Sequence, residues 1–327
     1  MAGRKPRIGI ALSAGGAAAM AEIGVISELV AAGVSIDVVA GTSAGAMVGA
    51  AYAAGRLPEF SVTMRSLTRR RVLGLFDPAW PGVGGLLEGR RAMQLIRPHV
   101  GTTIETLLRP YAAVAADLRT GQEVVLRSGN VLEAIRASIA VPGVLTPLRV
   151  ADSLLVDGGL VNPLPVSVAR SLGAERVIAV SVLPTRGAPP MRVRRAVARP
   201  LLARLLAGAG ARRAAARAAS RRKAAARSRD EALGLIEVIL DAVRIVERRI
   251  AVARLRDEPA DFLIEVPVPR IGIFDFQRTA DMIEIGRAAA RDALPELRRT
   301  IVRAEPPLYR RWVRWRRRRD LRAPSPR

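Results

Sequence analysis

The chain has no cysteine and one histidine, His99. The first absence excludes a disulfide framework and any Cys-ligated metal site, and the second argues against a His-rich zinc site. Aromatic residues make up only 3% of the 327 residues, which is no obstacle to apolar packing on Leu, Val, Ile and Met. Lysine is almost missing: apart from Lys5 and Lys223, every basic residue is arginine. No long apolar run of membrane-spanning character is present either. The longest candidate, residues 38–55, is free of charge but rich in Gly and Ala and carries a turn signature, so a strand, a turn and a helix are expected there and no transmembrane span. The N-terminus imitates a signal peptide, with a basic start followed by apolar and small residues. The expected reading is instead a buried strand over residues 7–12, a Gly turn and a helix.

Half of the residues are hydrophobic, which rules out disorder throughout and leaves ample material for a core. The net charge of +24 is unevenly spread. Residues 192–229 hold 13 basic and no acidic side chains, and residues 298–327 hold 12 basic and 2 acidic. The rest of the chain is nearly balanced, at 28 basic against 27 acidic. The high pI therefore describes two appendages on an almost neutral body, and any argument for an anionic partner concerns those appendages.

Hydrophobic patterning gives strand–turn–helix twice in succession: strands over 7–12 and 36–40, helices over 17–32 and 46–54. That order implies parallel strands covered on both faces. Residues 56–100 read as less regular, their Pro, Gly and Arg content suggesting a lid-like or peripheral region. Strands are expected over 111–118, 123–126 and 176–182, a strand end at 156–159 and a last strand over 261–266. Helices are expected over 132–138, 167–172, 231–255 and 279–294, and a loop over 142–147. No internal repeat is visible.

The chemistry concentrates in three places. Gly41-Thr42-Ser43-Ala44-Gly45 lies between a buried strand and a helix. A strained turn of this kind lifts a serine hydroxyl clear of its neighbours, and the helix N-terminus supplies free N–H groups beside it. The Gly-rich turn Ser13-Ala14-Gly15-Gly16 follows the first strand, and its amides could serve a developing oxyanion. A dinucleotide-binding reading of that turn, with Asp37 as the ribose acid, fails because the spacing is not G-x-G-x-x-G and Asp37 precedes its strand. A base is then needed. A Ser–His–acid triad would depend wholly on His99, which has no visible orienting acid. The alternative is Asp157, in Val156-Asp157-Gly158-Gly159 at a strand end.

These pieces, in this order, resemble the patatin-like phospholipase family. The elbow Asp37-Val38-Val39-Ala40-Gly41-Thr42-Ser43-Ala44-Gly45-Ala46 is similar to that family's, as are Ala137-Ser138-Ile139-Ala140-Val141-Pro142-Gly143 and Asp157-Gly158-Gly159-Leu160-Val161-Asn162-Pro163-Leu164-Pro165. The likeness covers residues 7–183 well and 230–297 more loosely, as in compact bacterial members of the neuropathy-target-esterase-like branch. It implies an α/β fold: a patatin-like three-layer α/β/α sandwich with a mainly parallel central sheet. The expected domain spans 1–297, interrupted by an Ala/Arg-rich insertion at 186–229, with a basic tail over 298–327. The resemblance implies a serine lipid acyl hydrolase with Ser43 as nucleophile, Asp157 as base and an oxyanion hole from the amides of Gly15, Gly16 and Ala44. Gly41, Gly45, Gly158 and Gly159 complete the motifs. No metal or organic cofactor is implied.

The family's loop is usually G-G-G-x-R-G, whereas this chain has Ala14, Ala18 and Ala19 at three of those positions. If residue 14 needs positive φ, alanine there costs about 1–2 kcal/mol. These departures motivate a second reading, a catalytically weak relative acting through its Arg-rich segments. The expected partners are a lipid acyl ester and an anionic membrane surface, touched by both basic segments. Arg314–Arg319 with Trp312 and Trp315 could offer charge and stacking to nucleic acid, but a solvated tail is the expectation there. The expected location is the cytoplasm, at most peripheral to the inner face of the plasma membrane.

Overall fold

Runs of β-branched and small apolar residues such as VVAGT, YAAVAAD and RVIAVS, each almost free of charge, suit strands buried on both faces. The computed structural model describes residues 5–80, 84–183 and 235–302; the expected insertion at 186–229 and residues 303–327 of the expected tail lie outside the described residues. In chain order the strands are β1 (Ile8–Leu12), β2 (Val38–Thr42), β3 (Gly85–Leu87), β4 (Tyr111–Asp117), β5 (Glu123–Leu126), β6 (Gly143–Leu145), β7 (Leu148–Val150), β8 (Ser153–Asp157), β9 (Arg176–Ser181) and β10 (Phe262–Glu265). The α-helices are α1 (Ala21–Ala31), α2 (Ala44–Ala53), α3 (Leu57–Arg65), α4 (Arg69–Gly74), α5 (Arg90–Val100), α6 (Val131–Ser138), α7 (Val166–Ser171), α8 (Leu235–Asp257) and α9 (Thr279–Leu297).

The main sheet has the order β10-β9-β1-β2-β4-β8-β7, with β5 also pairing to β4. From β10 to β4 every pairing is parallel, and β8 and β7 then add antiparallel. Successive residues of the central strands feed two cores. Ile10, Leu12, Val39 and Ile178 face the cluster built with α1, α2 and α9, while Ala11, Ala40, Val177 and Ala179 face the one built with α7 and α8. This is the three-layer α/β/α sandwich with a mostly parallel centre. The segment that imitates a signal peptide is β1, flanked by a partner on each side, and the charge-free stretch at 38–55 is β2 and the buried helix α2. Among the described residues, no helix is long and apolar enough to cross a membrane.

Three expectations need correction. Residues 56–100 are not irregular but fold as α3, α4, β3 and α5. The cap of α5 explains why the pattern is hard to read: Asp77 accepts from the amides of Gly89 (2.8 Å) and Arg90 (2.7 Å), from outside the local sequence window. Residues 142–147 are not only loop, because β6 pairs in parallel with β3 in a small second sheet. The helix expected over 17–32 starts as a 3₁₀ turn at Gly16–Met20 before α1.

Candidate active site

Register alone brings the proposed residues together. On the sheet, Thr42 of β2 stands opposite Val114 of β4, and the next residue of β4, Ala115, stands opposite Asp157 of β8. Ser43 and Asp157 therefore flank β4 at neighbouring positions, beside Val114 and Ala115, although they are far apart in the chain. Because β1 and β2 are parallel neighbours, the Gly-rich turn after Leu12 and the elbow after Thr42 open at the same edge of the sheet.

The elbow is strained and tightly packed. Ser43 has φ 56 and ψ −128, a region costly for a residue with a side chain, by about 1–3 kcal/mol. A Cβ on Gly41 would lie 2.5 Å from the carbonyl oxygen of Gly45, and one on Gly45 would lie 2.5 Å from that of Ser13. Only glycine at both positions lets the turn close on itself and on the neighbouring loop.

Ser43 Oγ donates to Asp157 Oδ2 at 2.7 Å, and both residues are buried. Asp157 Oδ1 accepts from the Gly159 amide at 2.8 Å, which fixes the carboxylate plane. Desolvation by burial pushes Asp157 up to about 6, against the two hydrogen bonds that favour its charged form. The aspartate loop braces both other segments: Thr42 Oγ1 donates to the Asn162 carbonyl (2.7 Å), and the Ala14 amide donates to that of Pro163 (2.8 Å).

Gly15, Gly16, Ser43 and Ala44 line one cavity of about 920 Å³. Among the described residues, the amides of Gly15, Gly16 and Ala44 have no hydrogen-bond partner. The positive φ in the Gly-rich turn falls on Gly16 (φ 56), not on Ala14, so the strain anticipated for alanine at 14 does not arise. Ala18 lines the cavity, and Ala19 is buried beneath it. The other walls carry Met47, Leu75, Phe76, Met93, Ile96 and Val144, several of them from the 56–100 region expected to be peripheral.

His99 is elsewhere. It is hydrogen-bonded to Thr63 at 3.0 Å, stacks edge-on to Phe60 and takes no part in the cavity lining. Partial burial lowers its proton affinity. The expected outcome for His99→Ala is hydrolysis of a p-nitrophenyl ester within about threefold of the unaltered protein, measured by steady-state kinetics.

Sequence reasoning passed over three contributors. Ser138 Oγ accepts from the Ser43 amide at 2.8 Å and donates to the Val114 carbonyl at 2.5 Å, pinning the strained serine to β4. It stood in the quoted segment next to the site, but nothing local gave it a partner. Ser138→Ala leaves the buried Ser43 amide unpaired, and should lower unfolding stability by about 1–3 kcal/mol in a denaturant titration. Glu22 Oε1 accepts from the amide (2.8 Å) and hydroxyl (3.1 Å) of Ser13, at the base of the Gly-rich turn. Its signal was an acid in the otherwise apolar first turn of α1. Glu247 of α8 is buried in the cavity wall.

Comparison with known proteins identifies the family. Residues 10–170 match the family model described as patatin-like phospholipase. An NTE family protein of Mycobacterium tuberculosis is 37% identical over 330 residues, covering 88% of this chain and 91% of its own. A second NTE family protein of that organism is 34% identical over 307 residues, covering 90% of this chain but 47% of its own length. The mouse patatin-like phospholipase domain-containing protein 6 is 35% identical over 185 residues, 54% of this chain and 13% of that protein. From its fold, its motifs and its near full-length likeness to a mycobacterial NTE family protein, the chain belongs to the patatin-like phospholipase family.

Proposed function

We propose that the protein is a serine hydrolase of lipid acyl esters, with Ser43 as nucleophile and Asp157 as its base. The observation that carries this reading is the 2.7 Å hydrogen bond from Ser43 Oγ to Asp157 Oδ2 at the wall of a mainly apolar cavity. In the proposed reaction Ser43 Oγ attacks the ester carbonyl while its proton passes to Asp157. A carboxylate is a weak base, and its burial raises its proton affinity towards the range where such a transfer is useful. The tetrahedral oxyanion is met by the unpartnered amides of Gly15, Gly16 and Ala44, each such donor contributing about 3–4 kcal/mol in the transition state. Asp157 then returns the proton to the departing alcohol. Water activated by Asp157 hydrolyses the acyl-enzyme in the second half-reaction.

The reading extends to the surface the enzyme works on. Arg-rich residues 192–229 and 298–327 are proposed to touch anionic headgroups, each Arg near such a surface contributing about 1 kcal/mol. On α8, Ile245 lines the cavity while half exposed, beside exposed Val246, which gives that helix an apolar edge to face acyl chains.

The test is a substrate screen run beside Ser43→Ala: p-nitrophenyl esters of increasing chain length, a monoacylglycerol, a lysophospholipid and a diacyl phospholipid in neutral and in anionic vesicles. The apolar cavity predicts that longer acyl chains raise kcat/KM over acetate, and the basic segments predict faster turnover on the anionic vesicles at low salt. Equal rates on acetate and long-chain esters would contradict the acyl-chain assignment. Rates indifferent to vesicle charge would remove the membrane contact.

A further inference from the structure

Two buried acids line the cavity without a part in the mechanism: Asp77, which caps α5, and Glu247, which has no such structural task. Glu247 lies on α8, one helical turn after Arg244, and both line the same cavity as Ser43. Its Oε1 packs directly against Gly159 of the aspartate loop, where a Cβ would collide with it; that same point lies 3.2 Å from Asp157 Oδ1. The two carboxyls thus flank one glycine inside a poorly solvated wall. Two like charges so placed repel, and a pocket of this kind holds one negative charge far more readily than two.

Hydrogen bonding decides which carboxyl keeps the charge. Asp157 accepts from Ser43 Oγ and from the Gly159 amide. For Glu247 no hydrogen-bond donor is found among the described residues. Its surrounding charges are Asp157 across the cavity wall and Arg244 on its own helix, whose guanidinium is engaged with Asp241 (3.6 Å) and the Ile271 carbonyl (2.7 Å). Arg270 and Asp275 stand beyond Arg244. The proton therefore falls on Glu247. Burial, followed by the Asp157 charge, pushes Glu247 well above the ordinary carboxyl range, and Arg244 only partly offsets this.

We propose that Glu247 is a positioning residue of the reaction: it shares with Asp157 a pocket that holds a single negative charge, so that the protonation state of Glu247 sets the proton affinity of Asp157. With Glu247 neutral, Asp157 alone carries the charge and its affinity for the Ser43 proton is moderate. When Glu247 ionises, moving the Ser43 proton onto Asp157 relieves the repulsion between the two carboxylates, and Asp157 becomes the stronger base. This inference rests on the proposed Ser43–Asp157 chemistry for its kinetic consequence, but not for the existence of the shared charge.

The test compares the full-length protein with Glu247→Gln, in the unaltered and in the Asp157→Asn background. A carboxyl whose proton affinity is raised on folding contributes stability that is present at low pH and lost as pH rises. Glutamine escapes that loss. Thermal melts should therefore show Glu247→Gln gaining several degrees over the unaltered protein between about pH 5 and about pH 9, and the gain should shrink in the Asp157→Asn background. In kinetics on p-nitrophenyl butyrate, the kcat/KM ratio of unaltered protein to Glu247→Gln should rise by about threefold or more over the upper half of that range. A Glu247→Gln effect on melting that is the same at every pH, or that persists in full when combined with Asp157→Asn, would overturn the pairing. A pH-independent kinetic ratio with the melting result intact would leave the shared charge standing and remove its role in the reaction. The melts need no catalysis, so a protein without esterase activity would defeat the proposed function and leave the pair tested.

Discussion

Replacing Ser43 by Ala is expected to lower kcat/KM for acyl ester hydrolysis by about 10⁴-fold or more, to the level of the residual binding site. Among the described residues its hydroxyl is the only serine oxygen that meets Asp157, and it does so from a backbone conformation that side chains rarely adopt. Alanine keeps the Cβ and the amide bonded to Ser138, so the elbow keeps its anchor. The variant should fold, melt cooperatively and still bind substrate. If hydrolysis persists in it, another group carries the reaction. The same strain gives a second reason for the large effect: it aims Oγ into the cavity before substrate arrives, so that little further ordering is needed at the moment of attack.

The second large effect belongs to Asp157→Asn, with an expected loss of about 10⁴-fold. The amide can still accept from the Gly159 N–H and occupy the same space, but it cannot take the Ser43 proton. The unaltered protein should also show an acid limb. Asp157 is held at about 6 by desolvation, and the reaction needs it ionised. Its kcat/KM should therefore fall as the medium is acidified through that pH, by tenfold for each further unit. Asp157→Asn should lack this limb. If both proteins show the same acid limb, the titration belongs to another group.

How much of this was legible in the sequence depended on the range of the interaction. The elbow's glycines are a local device: Gly41 and Gly45 are fixed by contacts within five residues and one neighbouring turn, so a short stretch of sequence already contains the pattern. The same holds for the parallel core, because strands buried on both faces have to be apolar without alternation, as β2 and β9 are. The 56–100 region was hard to read because its order comes from partners a dozen or more residues apart in the chain. The α5 cap is Asp77, acting over a dozen residues, and Arg136 ties β3 and β6 together by donating to the carbonyls of Glu88 (2.9 Å) and Thr146 (2.8 Å). Arginine-rich α5, with Pro98 inside it, gave no clean apolar period. Ser138 and Glu247 were missed for the same reason, since their partners lie on β4 and in the aspartate loop.

The alanine at position 14 would strain the Gly-rich turn only if that residue needed positive φ, and the backbone does not ask it to. Ala14 keeps ordinary φ, donates its amide to Pro163 and is wholly buried, while the left-handed position is taken by Gly16. The turn is held from below by Glu22, whose raised proton affinity comes from complete burial against the bonds from Ser13. With Ala18 in place of the family's usual arginine, the Gly-rich turn still presents the amides of Gly15 and Gly16 without partners among the described residues.

The most direct measurement is covalent trapping. A fluorophosphonate reacts with a serine only where the hydroxyl is activated and the phosphonyl oxygen is met by donors. Incubation followed by peptide mass spectrometry should give one adduct per chain, located on Ser43, formed far more slowly in Asp157→Asn and absent from Ser43→Ala. A folded protein that takes up no label, or takes it on another residue, would contradict an activated hydroxyl at position 43.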